Sequence, residues 1–208
     1  FIIAGRPSMG KTAFALSIAG QLVNDEIPSV LFSLEMSARS IMYRMISLLG
    51  KVELKKLFEA KNLTDNDFNE IENSLSLLSR SKFFIDDTSA LSPSEILSRS
   101  RKLKREQPEL GLIVIDYLQL MRADQSNPSR VNEISEISRA TKALAKELDI
   151  PVIALSQLNR ASETRTNKVP ILADMRDSGA LEQDADLVIF PFRPEFHEPT
   201  PENKGIAR

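Results

Sequence analysis

The opening stretch of the chain, Phe1 to Val23, restricts the possible folds more than any other. An apolar run, Phe1-Ile2-Ile3-Ala4, reads as a short buried strand. Gly5-Arg6-Pro7-Ser8-Met9-Gly10-Lys11-Thr12 follows, a full match to the phosphate-binding P-loop pattern. Ala13, Phe14, Leu16, Ile18, Ala19, Leu22 and Val23 then supply an apolar-rich helix. Strand, loop and helix in that order are the context the pattern needs. Gly5 and Gly10 are expected to take backbone angles closed to other residues. Successive N–H groups from Gly5 through Ser8, Met9, Gly10, Lys11, Thr12 and Ala13 would then curl into an anion-binding nest at a helix N-terminus. Lys11 is placed to reach the β- and γ-phosphates of a nucleoside triphosphate, and the Thr12 hydroxyl to bind Mg²⁺.

The remaining strands repeat one pattern. Val30-Leu31-Phe32-Ser33-Leu34, Phe83-Phe84-Ile85, Leu112-Ile113-Val114-Ile115, Pro151-Val152-Ile153-Ala154-Leu155 and Leu187-Val188-Ile189-Phe190 are apolar on both faces. Helical spacing separates them, which argues for a mostly parallel α/β sheet with helices on both faces. Ser37 is expected to cap a helix carrying Ile41, Met42, Met45, Ile46 and Leu49, with Gly50 as its stop. Its Met residues read as core. Thr64 caps another helix, with Phe68, Ile71, Leu75 and Leu78 along one face. Ser92-Pro93-Ser94-Glu95 is a capping box. Ile134, Ile137, Leu144 and Leu148 form the buried side of a helix from Val131 to Leu148. About 30 residues rich in Arg, Asn and Asp, with Gly179 among them, join the last two strands, a length that usually carries function.

Ligands in such sheets sit at the carboxyl ends of the strands. Three polar residues fall there: Glu35, Asp116 and Gln157. Asp116, after four apolar strand residues, suits the Walker B role of holding Mg²⁺ opposite Thr12, usually through water. Glu35 suits the base that orients and deprotonates an attacking water. Its position serves equally well for an acidic residue satisfying helix N–H groups. Gln157 reads either as a γ-phosphate sensor or as a polar turn residue.

Composition excludes several classes. The chain has 208 residues, 27 Lys+Arg against 29 Asp+Glu, no Cys and one His. A net charge of −2 offers no global basic field for nucleic acid, so such binding would have to be local. Disulfides, thiolate metal sites and His-based metal sites or triads are ruled out or starved of material. No apolar run approaches the roughly 20 residues of a membrane span, and no signal peptide is visible. The run Arg99, Arg101, Lys102, Lys104, Arg105 reads as a solvated helix face, with a DNA or partner surface as the alternative. The chain opens inside a strand without Met, which suggests part of a longer protein.

Five ordered segments resemble one family. They are Arg6-Pro7-Ser8-Met9-Gly10-Lys11-Thr12, Phe32-Ser33-Leu34-Glu35-Met36, Ile115-Asp116-Tyr117-Leu118-Gln119-Leu120-Met121, Ser156-Gln157-Leu158-Asn159-Arg160 and Arg176-Asp177-Ser178-Gly179. Together they are similar to the motor domain of bacterial replicative helicases of the DnaB type, over nearly the whole of residues 1–208. The resemblance implies a single RecA-like P-loop NTPase domain that uses ATP and Mg²⁺. It implies a homohexamer with ATP sites between subunits, moving on single-stranded DNA in the bacterial cytoplasm with primase and a helicase loader as partners. It further implies Glu35 as catalytic base, Gln157 as the sensor coupling nucleotide to DNA, and Arg176, Asp177, Ser178 and Gly179 as the DNA-holding loop. By the same resemblance an N-terminal collar domain and a later arginine-finger segment belong to the family but not to these residues. Weak hydrolysis and weak assembly are then expected of residues 1–208 alone. A RecA-like recombinase or a phosphotransferase using the same loop, and a nucleotide-switched loading or interaction module, are the competing readings.

Overall fold

A computed structural model describes residues 1–124, 129–159, 165 and 167–208, with the backbone alone for 176–179. Six strands form one sheet in the order β3-β2-β4-β5-β1-β6. They are β1 (Ile2–Gly5), β2 (Ser29–Ser33), β3 (Phe83–Asp86), β4 (Leu112–Asp116), β5 (Val152–Gln157) and β6 (Val188–Ile189). All neighbouring pairs are parallel. The helices between them are α1 (Lys11–Asn24), α2 (Ala38–Gly50), α3 (Leu54–Glu59), α4 (Asp65–Arg80), α5 (Pro93–Glu106), α6 (Arg130–Leu148) and α7 (Gly179–Asp184).

Alternation along the strands splits the core into two layers, as a sheet covered on both sides requires. Ile3, Leu31, Leu112, Val114, Ile153 and Leu155 pack with Leu16 and Val23 of α1, Ile41 and Met45 of α2 and Leu78 of α4. Ile2, Ala4, Val30, Phe32, Ile113 and Ile115 face the other way, onto Ile96 of α5 and Ile134, Ile137 and Leu144 of α6. Each such fully buried Val, Leu, Ile, Met or Phe side chain contributes about 1.5–3 kcal/mol, so the central strands are the most strongly held part of the fold.

The expected helix starts are present. Ser37 accepts from Ser40 N–H at α2, and Thr64 with Asp67 and Ser92 with Glu95 form reciprocal capping boxes at α4 and α5. The basic run of α5 is largely spent on neighbours. Arg99 meets Asp86 at 2.5 Å, Arg101 grips Glu147 at 2.5 and 2.8 Å, and Lys102 lies 3.9 Å from Glu106. The solvated face favoured by the sequence is also ion-paired, which the sequence did not show.

Three details differ from expectation. Gly50 is the last helical residue of α2 and the left-handed turn falls on Lys51, at φ 52°. Gly50 instead allows α4 to pass close: a Cβ there would meet Ser74 Oγ at 2.8 Å and the Glu70 carbonyl oxygen at 3.0 Å. That crossing turns Ser74 and Leu78 inward, so Phe68 and Leu75, on the adjacent stripe, are 56% and 46% exposed. The last strand keeps only Val188 and Ile189 of the four residues expected.

Candidate functional site

The carboxyl ends of β1, β2, β4 and β5 converge on one edge of the sheet. From β1 the chain turns through residues 6–10 into α1. The left-handed positions in this turn are Ser8 (φ 65°) and Gly10 (φ 95°). Gly5 takes no such angle, contrary to expectation, because it is still within β1, and a Cβ there would make ordinary contact with Lys11 Cγ at 3.4 Å. Met9 packs its side chain inward beneath the loop. The first-turn N–H groups of Lys11, Thr12 and Ala13 have no acceptor within their helix and point out of its N-terminus. Lys11 Nζ lies across the loop, donating to the carbonyls of Gly5 at 2.9 Å and Arg6 at 3.2 Å.

Thr12 and Asp116 meet directly. Thr12 Oγ1 donates to Asp116 Oδ2 at 2.7 Å, joining the start of α1 to the tip of β4. Asp116 is 1% exposed. Burial pushes its carboxyl above the ordinary carboxylate range and Glu35 adds to the rise; Thr12, Lys11 and Arg44 oppose it. Burial likewise lowers the Lys11 ammonium, against the pull of Asp116 and Glu35. Lys11, Asp116 and Glu35 thus share one electrostatic neighbourhood. Tyr117, raised by burial and by both carboxylates, borders it.

Glu35 owes its place to two contacts. Leu34 N–H donates to the Asp116 carbonyl at 2.7 Å, pinning the exit of β2 beside the tip of β4. Ser33 Oγ donates to the Met36 carbonyl at 2.7 Å and accepts from its N–H at 3.3 Å, closing a tight turn with Glu35 exposed at its apex. Helix α2 takes its capping from Ser37 and from Asp87, which accepts from Ala38 N–H at 2.8 Å. Neither of these capping bonds comes from Glu35.

Gln157 ends β5, paired with Gly5 on β1. Because β5 lies between β1 and β4, Gln157 stands between the P-loop and the strand of Asp116. A cleft of about 600 Å³ opens beside it, lined in part by Arg6, Tyr117, Gln119 and Asp174. Beyond β5, Asn159 N–H reaches the Asp174 carbonyl at 3.4 Å. The Asp174 carboxylate accepts from Arg165 at 2.7 Å and from Ile171 N–H at 2.9 Å. These bonds anchor the start of the 3₁₀ segment Leu172–Ser178. Arg160 and the side chains of Arg176, Asp177, Ser178 and Gly179 lie outside the described residues.

Several contributors show nothing of their role in the sequence, although Ser33 and Gln119 lie within the segments that carry the resemblance. Ser33 looks like any strand residue, and Gln119 is one of several polar positions after β4. Arg44 sits on the inner side of α2 with its Nε enclosed and unbonded among the described residues, and its charge acts on Asp116.

Among the described residues no three His, Cys, Asp or Glu side chains cluster as a metal cage. A hydroxyl and one carboxylate suit a magnesium ion that keeps several waters and takes its other oxygens from phosphates. The donors also fit a triphosphate: helix N–H groups, a half-buried ammonium and no opposing carboxylate in the loop itself.

A parallel sheet, a P-loop between its β1 and α1, and a carboxylate two strands away define a P-loop NTPase domain of RecA-like fold. The family model for the DnaB-like helicase C terminal domain matches residues 1–207, and the chain belongs to that family. It is 47% identical to the replicative DNA helicase DnaB of Haemophilus influenzae over 208 residues, which is 99% of this chain and 44% of that protein. It is 50% identical to the protein of the same name from Buchnera aphidicola subsp. Baizongia pistaciae, over 99% of this chain and 45% of that one. Among solved structures, one of an ATPase domain superposes with a TM-score of 0.94 at 40% identity, covering 99% of this chain and 73% of the other. A DnaB-like replicative helicase studied for its interactions with primase gives the same TM-score and identity over 51% of its chain. This chain spans less than half the length of those two DnaB relatives.

Proposed function

We propose that these residues are the ATP-hydrolysing motor of a hexameric replicative DNA helicase that moves on single-stranded DNA at the bacterial replication fork. The observation that carries the reading is the Thr12–Asp116 contact at 2.7 Å, with Lys11 and Glu35 in the same electrostatic neighbourhood, in a chain of this family. Lys11 and the N–H groups of Ser8, Gly10, Lys11, Thr12 and Ala13 bind and orient the triphosphate. Thr12 and Asp116 are the residues that would hold a magnesium ion. The ion, when bound, neutralises charge on the β- and γ-oxygens.

Glu35 accepts a proton from the attacking water, and its exposed carboxylate on a rigid turn is suited to that reach. Gln157, between the P-loop and Asp116, senses the γ-phosphate and passes its state along the chain toward the Arg176–Gly179 segment. There Arg176 pairs with a DNA phosphate, and Asp177, Ser178 and Gly179 complete the backbone contact. Few aromatic residues lie near that segment, which favours backbone tracking with weak sequence preference. The assembly places ATP sites at subunit interfaces, with a primase and a helicase loader as partners in the cytoplasm. No described helix is long and apolar enough to cross a membrane.

The test is ATP turnover by the full-length protein with and without single-stranded DNA, together with unwinding of a 5′-tailed fork. Strong stimulation and unwinding support the motor, and Arg176→Ala should weaken stimulation selectively. Phosphate transfer to a small acceptor, or nucleotide binding with no hydrolysis under any condition, would overturn it.

A further inference from the structure

Strand β5 outruns one of its neighbours. On the β4 side the pairing runs from Ile113↔Val152 to Ile115↔Ala154, and β4 then ends at Asp116. On the β1 side it continues to Gly5↔Gln157. The main-chain groups of Gln157 that face β4 therefore have no strand to pair with, and half-buried amides need partners.

The Gln119 side chain supplies them. Its Oε1 accepts from Gln157 N–H at 3.1 Å, and its Nε2 donates to the Gln157 carbonyl at 3.3 Å and to Ser156 Oγ at 2.9 Å. One carboxamide meets both main-chain groups of one residue, as a strand neighbour would. The reverse orientation would set an NH₂ against an N–H and an oxygen against a carbonyl, so the network itself fixes which way the amide points. Gln119 lies in the 3₁₀ turn Leu118–Leu120, three residues after Asp116, and its own carbonyl accepts from the Arg130 guanidinium at the start of α6. From the other flank, Leu158 N–H donates to the Gly5 carbonyl at 3.3 Å and Arg6 Nη1 to the Leu158 carbonyl at 2.9 Å.

We infer that Gln119 is a positioning residue for Gln157, tying the tip of β5 to the Asp116 loop so that the two move as one body. The inference rests on the reading of Gln157 as phosphate sensor. Its function is geometric: a sensor side chain is useful only if its backbone is fixed relative to the metal-holding carboxylate, and misplacement of about 1 Å can cost about a hundredfold in rate.

The experiment is a double-mutant cycle in the full-length protein with Gln119→Ala, Gln157→Ala and the pair. Readouts are ATP turnover with and without single-stranded DNA and nucleotide affinity. Gln119→Ala is expected to lower DNA-stimulated kcat about ten- to a hundredfold. Nucleotide affinity should stay within about twofold, as for a residue that acts after binding. The double variant should be no worse than Gln157→Ala alone. If Gln119→Ala does not fold, Gln119→Glu, which keeps an acceptor for Gln157 N–H and loses both donations, carries the same cycle. Full DNA stimulation in the Gln119 variant, or losses that simply add, would overturn the inference while leaving the sensor role intact. Full stimulation in Gln157→Ala would show instead that the sensor role is wrong, and the inference would fall with it.

Discussion

Asp116→Asn exchanges a buried carboxylate for a neutral amide of nearly the same size. Its one hydrogen-bond donor among the described residues is Thr12. Burial holds the folded-state pKa above the ordinary value, so the folded protein binds this proton more tightly than the unfolded chain does. Stability is then lost as pH rises from the unfolded-state value through the folded one, and at pH 7 the carboxylate is a net cost. Burying a lone charge costs several kcal/mol. The charge-assisted bond from Thr12 offsets about 1.5–3 kcal/mol of that, and attraction to Lys11 and Arg44 offsets a further part. Asparagine keeps an acceptor for Thr12 and removes the charge. A gain of about 0.5–2 kcal/mol is expected, the usual size for relieving a strained functional group. For a domain of this size each kcal/mol moves Tm by about 2–4 °C. The assay is urea unfolding of both proteins in a chelating buffer, at pH 7 and in steps down toward about pH 4, where model carboxylates titrate. The gap should close as acid neutralises Asp116 in the parent, and ATP turnover should be absent in the variant throughout. An asparagine variant less stable at pH 7, or a gap unchanged by acid, would refute the reasoning.

Other outcomes follow from the same geometry. Glu35→Gln should leave nucleotide affinity near that of the parent and cut DNA-stimulated turnover about 10²–10⁴-fold, read from steady-state kinetics. Gly50→Ala should destabilise by about 1–3 kcal/mol in denaturant unfolding, because its Cβ meets backbone of α4 at 3.0 Å. Gly20→Ala meets only the movable end of Leu48 at 2.8 Å, and about 1 kcal/mol of helix propensity favours the change, so it should be neutral or better. Ser92→Ala removes the capping box of α5 and should cost about 1 kcal/mol in the same assay.

Local patterns were legible in the sequence wherever consecutive residues carried the information. The P-loop, the apolar strands, the helix caps at Ser37, Thr64 and Ser92, and Asp116 at a strand end all fall in this class. What stayed hidden depends on neighbours distant in sequence. That β5 separates β1 from β4 is set by pairing across about 150 residues, and with it the placing of Gln157 between them. Gln119 becomes a substitute strand only because β4 stops short. Phe68 and Leu75 keep helical spacing with the core residues, yet a single close crossing at Gly50 rotates them out. That Asp87 shares the capping of α2 with Ser37 depends likewise on a residue distant in sequence.

The strand order carries a mechanical consequence. Strands β5 and β6 are the two ladder partners of β1, and the stretch that joins them is the one carrying the Arg176–Gly179 segment. Tension applied to that stretch would reach β1 through both partners, along its whole length from β5 and at Ile2 and Ile3 from β6. It is met in shear, with several ladder bonds sharing the load on the β5 side rather than parting one at a time. A pull on that stretch is thereby shared along the ladder rather than peeling the sheet open.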